Sequence, residues 1–377
     1  MKKTVLAVCL ALVSATGVYA EEAKPAGLKP DDVKNALGAS FYLQGGYTYN
    51  GHASTLGAGQ GEENNLRVFD HKANSFTLDL AQIIFNKDAA VDTAGYKIKL
   101  SAGETAKWIH SRGLSGAPLT SPQTGEGTDL IDLTEAYMSY IFGVGKGLRF
   151  DLGKMVTYHG AEVIEAKDNP NYSRSLLFNF AIPFTHTGLK ASYTFTDAFA
   201  ASLHIVNGWD NTTDNNRAKT YGLSLALTPA EVFSASVNLM QGPEKDDNNR
   251  DTRTLADIVA TIKPSKKLAL ILNYDNGKEE NGALPSATWS GMAGIVKYDL
   301  TDKYSVAVRG ELFDDKDGVR TGTIQKLKEV TATFDARMNG GLIIRPEYRH
   351  DISDKQSFDN GTKKTQDTIA LGVMYAW

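Results

Sequence analysis

The sequence predicts an all-β chain that forms a transmembrane, antiparallel, up-and-down β-barrel of about 16 strands with a long loop folded into its lumen. Three observations predict this fold class. Segments of about ten residues with alternating apolar and polar side chains recur from Phe41 to Trp377. The connections between the segments alternate between short and long. Many of the residues between the apolar ones are charged, so the second face of the sheet requires water.

Residues 1–20 have the pattern of a cleaved secretory signal peptide. Lys2 and Lys3 precede an apolar run, and small residues end the segment at Ala20. The run is about ten residues long, whereas a membrane-spanning helix needs about 20. Cys9 lies in this run and is the only cysteine, so the mature chain is predicted to lack thiols, disulfides and cysteine metal sites.

The rest of the chain divides into a polar leader, residues 21–39, and a barrel, residues 40–377. Loss of Lys2 and Lys3 takes the formal charge from −4 to −6, which disfavours nucleic acid as a partner. No later apolar run is long enough for a spanning helix, so the closed barrel is the structure by which this chain can cross a membrane. We therefore expect export to the outer membrane of a Gram-negative cell.

The alternation assigns each residue to one face of the predicted sheet. In the first segment Phe41 and Leu43 share the apolar face, and Gln44 lies on the other. The phase becomes unclear at residues 82–84, where we expect a β-bulge.

The connections that follow even-numbered segments are short, and those that follow odd-numbered segments are predicted to be long. Such asymmetry is typical of outer-membrane barrels, in which one rim has tight turns and the other has loops. The predicted long connections are residues 51–73, 107–128, 159–186, 208–217, 241–251, 275–287, 313–325 and 351–366. Aromatic residues flank several short turns, as Tyr298 and Tyr304 do, which favours an interfacial girdle over a mere preference for tyrosine in strands.

The predicted pore site combines inward-facing wall residues with the longest connection, residues 159–186. This connection is rich in large apolar side chains that need cover, so we expect it to fold into the barrel and narrow it. Its Glu162, Glu165 and Arg174 would then face wall charges such as Arg309, Arg345 and Glu311, and these opposed charges would create a transverse field. Arg174 and Glu162 could instead simply tie the loop to itself or to the wall. The candidate lumen and constriction residues are Arg149, Asp151, Lys154, Glu162, Glu165, Arg174, Arg309, Glu311, Arg345 and Glu347.

Lys154 tests the register of its segment. Continuing the phase of Leu148, Phe150 and Leu152 would place its ammonium in lipid, at a cost of about 2–4 kcal/mol near the midplane. We therefore expect a bulge at Gly153 that turns Lys154 into the lumen.

The long connection and its surroundings resemble the β-barrel porin family of the "porin-2" class. The resemblance is carried by Gly153-Lys154, by Glu162-Val163-Ile164 and by Asn169-Pro170 through Ser175, and it covers most of the mature chain. It implies an outer-membrane solute channel whose partners are outer-membrane lipids and small hydrophilic solutes or ions. The terminal Trp377 is similar to the signal that the barrel-assembly machinery reads. The chain lacks the PEFGG-type loop of the general trimeric porins, so the oligomeric state does not carry over.

Other functions have weaker support in the sequence. His159 and His186 bracket the long connection near Ser173 and Ser175, but no nucleophile elbow or acid–base pair accompanies them, so no enzyme is predicted. The remaining histidines lack metal-site spacing, and no motif predicts a cofactor. The main alternative to a channel is an adhesin or structural barrel with a closed lumen. Both charge signs face the lumen, so no ion preference follows from the sequence.

Overall fold

The computed structural model describes residues 38–55, 61–114 and 130–377. The predicted signal peptide and nearly all of the leader lie outside the described residues. Sixteen antiparallel strands form one closed barrel. They are β1 Ala39–Tyr49, β2 Phe76–Lys87, β3 Ala94–Ala102, β4 Ile131–Phe142, β5 Leu148–Val156, β6 Thr185–Thr196, β7 Phe199–Val206, β8 Thr220–Ala230, β9 Phe233–Pro243, β10 Thr252–Ser265, β11 Leu268–Asn281, β12 Leu284–Asp299, β13 Tyr304–Asp315, β14 Gln325–Arg337, β15 Leu342–Ser353 and β16 Thr365–Ala376.

Each strand pairs with its neighbours in sequence, and β1 pairs with β16 to close the barrel. The closing ladder runs from Tyr42 opposite Ala376 to Tyr49 opposite Ile369. Trp377 continues the closure, because its backbone N–H and carbonyl exchange hydrogen bonds of 3.0 and 2.8 Å with Phe41. A closed ladder leaves no unpaired strand edge, which is what a β-structure in hydrocarbon requires.

The two faces of the wall differ in the way the alternation predicts. On β13 the side chain of Val308 is 48% exposed on the outer surface, whereas that of the adjacent Arg309 is fully buried inside. Aromatic rings pack against each other near the short turns, as Phe195 does on Phe199 and Tyr304 on Phe334, with centroids 5.3 and 5.8 Å apart. The outer surface is therefore apolar with aromatic residues at one rim, as in barrels that contact lipid.

The predicted alternation of short and long connections is correct except at one place. The turn between β11 and β12 contains only residues 282–283, so the predicted long connection 275–287 is wrong. Both strands instead extend past the apolar zone, and Asn281 pairs with Leu284. The outward positions Asn276 and Lys278 of this extension are polar, as are the inward ones, so the sequence loses its alternation although the ladder continues.

The predicted bulge in β2 lies earlier than expected. The register with β1 shifts between Gln44, which faces Leu80, and Gly45, which faces Leu78, so Asp79 is the extra residue. Both Asp79 and Leu80 are consequently buried, although regular alternation with Phe76 and Leu78 predicts that Leu80 lies on the outer face. The apolar residue at position 80 gave no sign of the change of face, because the interior at this point is itself apolar.

Long connections cover one end of the barrel. The β1–β2 connection, residues 50–75, contains a small three-stranded sheet of Ser54–Thr55, Glu62–Glu63 and Lys72–Ala73. The β3–β4 connection begins with a short helix, α1, at Glu104–Trp108. Within the described ranges, no helix has the length and apolarity to cross a membrane.

Candidate functional site

The connection between β5 and β6, residues 157–184, is the most buried connection of the described chain and is here named the β5–β6 segment. Every residue from 171 to 184 is buried, and the segment contains a 3-10 turn at Ala166–Asp168 and a π-helical turn at Leu177–Ala181. Phe178 and Phe184 pack against each other and against Phe69 of the β1–β2 connection, with ring centroids 5.4–5.6 Å apart. The apolar side chains of the segment are therefore buried against other parts of the protein, as the sequence predicts.

Arg309 on β13 makes the densest polar contact with this segment. Its Nη1 donates to Glu162 Oε1 and to the carbonyl of Ser173, both at 2.8 Å, and its Nε donates to Glu329 Oε1 at 2.8 Å. The side chains of Arg309, Glu162 and Glu329 are all nearly or fully buried. A buried guanidinium is stable only when carboxylates and carbonyls satisfy its donors, as they do here.

Wall carboxylates cap backbone N–H groups of the segment. Glu311 accepts from the amides of Leu176 and Leu177 at 2.6 and 3.2 Å. Glu347 on β15 accepts from the amides of Tyr172 and Ser173 at 2.7 and 2.9 Å. Irregular backbone cannot satisfy its own N–H groups, so these carboxylates supply the partners that burial requires.

Wall arginines on β15 bind the carbonyl groups of the same segment. Arg345 Nη1 donates to the carbonyls of Ala166 and Asn171 at 2.5 and 3.1 Å. Arg349 Nη1 donates to the carbonyl of Arg174 at 2.6 Å. Charged side chains of the wall therefore form hydrogen bonds with both the N–H and the carbonyl groups of the segment backbone.

The segment also contacts strands on other parts of the wall. Glu165 accepts from Lys99 Nζ on β3 and from Gln82 Nε2 on β2, both at 2.8 Å. The amide of Ala161 donates to Asn273 Oδ1 on β11 at 3.1 Å. With the contacts to β13 and β15, one connection thus reaches inward-facing residues on strands that are far apart around the barrel.

The predicted partners of the segment charges are partly different from the observed ones. Glu162 meets Arg309 as expected, and Glu165 also meets a wall charge, Lys99 on β3. Among the described residues, no wall charge contacts the guanidinium of Arg174. It donates instead to the carbonyls of Tyr172, Val163 and Ile164 and lies over the Phe69 ring, 4.8 Å from its centroid. The interpretation that Arg174 faces wall charges is therefore wrong, and the alternative, that Arg174 ties the segment to itself, is confirmed.

Arg149, Asp151 and Lys154 lie on β5, outside the segment. Arg149 Nε is 2.8 Å from Asp151 Oδ1, and Lys190 Nζ is 3.6 Å from Asp151 Oδ2. Lys154 is buried, and its Nζ donates to the carbonyl of Leu133 at 2.8 Å and lies 3.3 Å from Asp132 Oδ1.

No residue is inserted at Gly153, so the predicted bulge is wrong. The pairing of β5 with β4 and with β6 runs residue for residue through Gly153 and Lys154. Gly153 has φ 137°, a backbone conformation that other residues rarely adopt, and this distortion accompanies the inward position of Lys154.

Several important wall residues were not singled out from the sequence. Glu329 and Asp335 on β14 are buried partners of Arg309 and Arg345. Both share the inward phase of Thr331 and Thr333, so the alternation of β14 could have identified them. Trp289 was also missed, and its Nε1 donates to the carbonyl of Ala181 at 3.1 Å.

The serine side chains of the segment and His186 on β6 do not form a catalytic arrangement. Ser175 Oγ accepts from the Phe178 amide at 2.9 Å, and Ser173 Oγ lies 3.2 Å from Arg309 Nη2. His186 Nε2 lies 3.1 Å from Thr157 Oγ1. Among the described residues, no group of histidine, cysteine or acidic side chains could hold a metal ion.

Comparison with known proteins identifies the family. The profile of a family described as "Putative beta-barrel porin-2, OmpL-like" matches residues 37–377. A search of the curated proteins found no match.

Solved structures of outer-membrane proteins share the fold. The outer membrane channel DcaP of Acinetobacter baumannii is 12% identical with a TM-score of 0.59, over 90% of this chain and 96% of that one. An anion-selective porin from Comamonas acidovorans is 9% identical with a TM-score of 0.60, over 90% and 98%. Salmonella typhi OmpF is 12% identical with a TM-score of 0.58, over 90% and 97%. At these identities the likeness shows the fold alone, whereas the family profile spans nearly the whole described chain: this protein belongs to the porin-2 family of outer-membrane β-barrel porins.

Proposed function

We propose that this protein is an outer-membrane porin through which small hydrophilic solutes diffuse passively, and that the β5–β6 segment forms its constriction. The observation that carries the proposal is the contact between this segment and inward-facing side chains on β2, β3, β11, β13 and β15. A connection that reaches so many parts of a closed wall from inside must occupy cross-section that would otherwise hold water. A barrel of about 16 strands is wide enough to keep an aqueous channel beside it.

The part of the wall that the segment does not cover supports a water-filled passage. Ser202, Ser224 and Ser236 lie at inward positions of β7, β8 and β9 and remain partly exposed. Hydroxyl-bearing, partly exposed side chains on the inner face favour water over a packed core. The surrounding outer-membrane lipids would contact the apolar outer face. In the described residues, the serine and histidine side chains near the β5–β6 segment are not arranged for catalysis.

A closed barrel is the competing function, and the burial of Arg309, Arg345 and Arg349 favours it. The segment packs so closely against this part of the wall that these three side chains are at most 1% exposed. An adhesin or structural barrel would use the long loops and need no passage.

Single-channel recording distinguishes the two functions. The purified protein in a planar bilayer should give stepwise currents, and deletion of residues 163–178 should increase the step size because the occupied cross-section becomes free. Silent bilayers for both proteins would support a closed barrel. Equal steps for both would show that the segment does not constrict the passage.

A further inference from the structure

In two groups on the inner face near the short turns, the cations are exposed and their carboxylate partners are buried. The side chain of Arg149 is 35% exposed and that of Lys190 33%, while Asp151, which both contact, is 2% exposed. On β14, Arg337 is 48% exposed above Asp335, which is 4% exposed. At these two groups a solute would therefore meet ammonium and guanidinium groups before it met the carboxylates.

Each of these two groups has more cations than anions. Arg149 and Lys190 share the single carboxylate of Asp151. Arg337 and Arg345 share the single carboxylate of Asp335. Both groups therefore carry a formal net positive charge, although the whole chain is acidic.

The two groups lie on opposite sides of the barrel. Lys190 is on β6 and Arg337 on β14, and these strands are separated by eight steps around the ring of 16 in either direction. Both groups are in the half of the wall that ends in short turns, since Arg149 is the second residue of β5 and Arg337 the last of β14. Positive groups on both sides of a water-filled passage with low-dielectric walls add to its potential and raise the local concentration of anions.

The other exposed inner charges near this zone do not oppose the field. Lys297 and Asp299 form an exposed ion pair at 2.6 Å, as do Lys167 and Asp168 of the β5–β6 segment. Lys97 is 26% exposed above Glu135, which is 2% exposed, and so repeats the pattern of a cation covering a carboxylate.

We propose that the channel prefers small anions, with carboxylates as the chemical class that Arg149, Lys190 and Arg337 would attract most strongly. Guanidinium groups bind carboxylates through paired N–H donors, and the nearby ammonium adds charge without a fixed geometry. This inference rests on the proposed channel function and states which sign of charge the channel prefers.

Reversal potentials in a potassium chloride gradient test the proposal. The reversal potential of the wild-type channel should have the sign expected when chloride is more permeant than potassium. The double variant Arg149→Gln with Lys190→Gln should lower the chloride-to-potassium permeability ratio at least about twofold, because both exposed cations of one group are lost. Raising the salt concentration should reduce the wild-type preference, since mobile ions screen charges at the lumen surface.

The matched control removes two positive charges from the outer face. Lys326 and Lys328 occupy outward, exposed positions of β14, so Lys326→Gln with Lys328→Gln should leave the reversal potential unchanged. A heat-dependent shift in gel mobility for every variant would show that the barrels are folded. A wild-type potential near zero or of cation sign, or equal potentials for the wild type and the Arg149/Lys190 variant, would overturn the proposal. Absence of any current would instead refute the channel function itself.

Potassium acetate in place of potassium chloride tests the chemical class. The wild-type channel should still show an anion preference, and the Arg149/Lys190 variant should lose it in parallel with that for chloride. A channel that prefers chloride but shows no preference for acetate would contradict the assignment to carboxylates.

Discussion

Replacing Arg309 should release the β5–β6 segment from the wall. In Arg309→Ala, Glu162 and Glu329 lose a contact of 2.8 Å each, and the carbonyl of Ser173 loses its donor at 2.8 Å. The side chain is fully buried, so water cannot replace these contacts without opening the site. Breaking a buried ion pair by removing one partner typically costs about 3–5 kcal/mol.

This free-energy cost predicts a measurable increase in the amide hydrogen exchange of the segment. If opening of the segment becomes easier by about 3–5 kcal/mol, its amides should exchange hydrogen about 100- to 4,000-fold faster, at one factor of ten per 1.4 kcal/mol. Hydrogen exchange followed by mass spectrometry of peptides from residues 171–184 measures this directly. Peptides from β9 and β10 should exchange as in the wild type, because neither strand contacts Arg309 through the pairing of β13.

The exposed Arg250 supplies the matched control. It lies in the connection after β9, so Arg250→Ala removes the same side chain without a buried partner and should leave exchange unchanged. Unchanged exchange of residues 171–184 in Arg309→Ala would refute the conclusion that wall charges hold the segment. Equal acceleration in all strands would show global destabilisation instead.

Three further predictions concern assembly, pH and backbone strain. Trp377→Ala should reduce the yield of folded barrel in cells, measured as the heat-modifiable fraction on gels, because the residue closes the seam with Phe41 and is the proposed signal for the assembly machinery. Burial raises the pKa of the Glu244 carboxyl from its usual value near 4.5 to about 7, so its stabilising contribution is present below pH 4.5 and is lost as the pH rises through 7. Glu244→Gln should therefore remove the part of the fall in melting temperature between pH 5 and 8 that this carboxyl causes. An unaltered fall in melting temperature would contradict this prediction. Gly153→Ala should destabilise the barrel by about 1–3 kcal/mol, since the position has φ 137° and a Cβ would lie 2.1 Å from the carbonyl oxygen of Ala136. Gly294→Ala, with 3.7 Å to the nearest atom, should be tolerated, and equal melting midpoints in denaturant for the two glycine variants would refute the strain argument.

The membrane explains how much of the wall could be predicted from the sequence. Lipid outside and water inside enforce a strict alternation, so Val308 and Arg309 could be assigned to opposite faces without coordinates. The alternation disappears where the outer face of a strand leaves the lipid and contacts water. Past the apolar zone, Asn276 and Lys278 face water on the outside, and the continued ladder of β11 was therefore mistaken for a loop.

The contacts of the β5–β6 segment were less predictable, because they join backbone groups to side chains. Glu162 and Arg309 carry opposite charges, so their pairing followed from charge complementarity. Arg174 and Glu347 bind carbonyl and amide groups, which every residue has, so the sequence contains no signal for their partners. The pairing of Glu165 with Lys99, and not with another inward-facing cation, likewise depends on the path of the segment through space.

The assignment of one face to water and the other to lipid is the central claim, and two single-cysteine variants test it most directly. Lys190 points inward and is partly exposed, whereas the adjacent Ala191 occupies an outward position of β6. In the mature chain, which is expected to contain no cysteine of its own, a charged thiol reagent that cannot enter hydrocarbon should modify Lys190→Cys in reconstituted membranes and should leave Ala191→Cys unmodified. Rapid modification of Ala191→Cys, or protection of Lys190→Cys in the folded barrel, would contradict a water-filled interior surrounded by lipid.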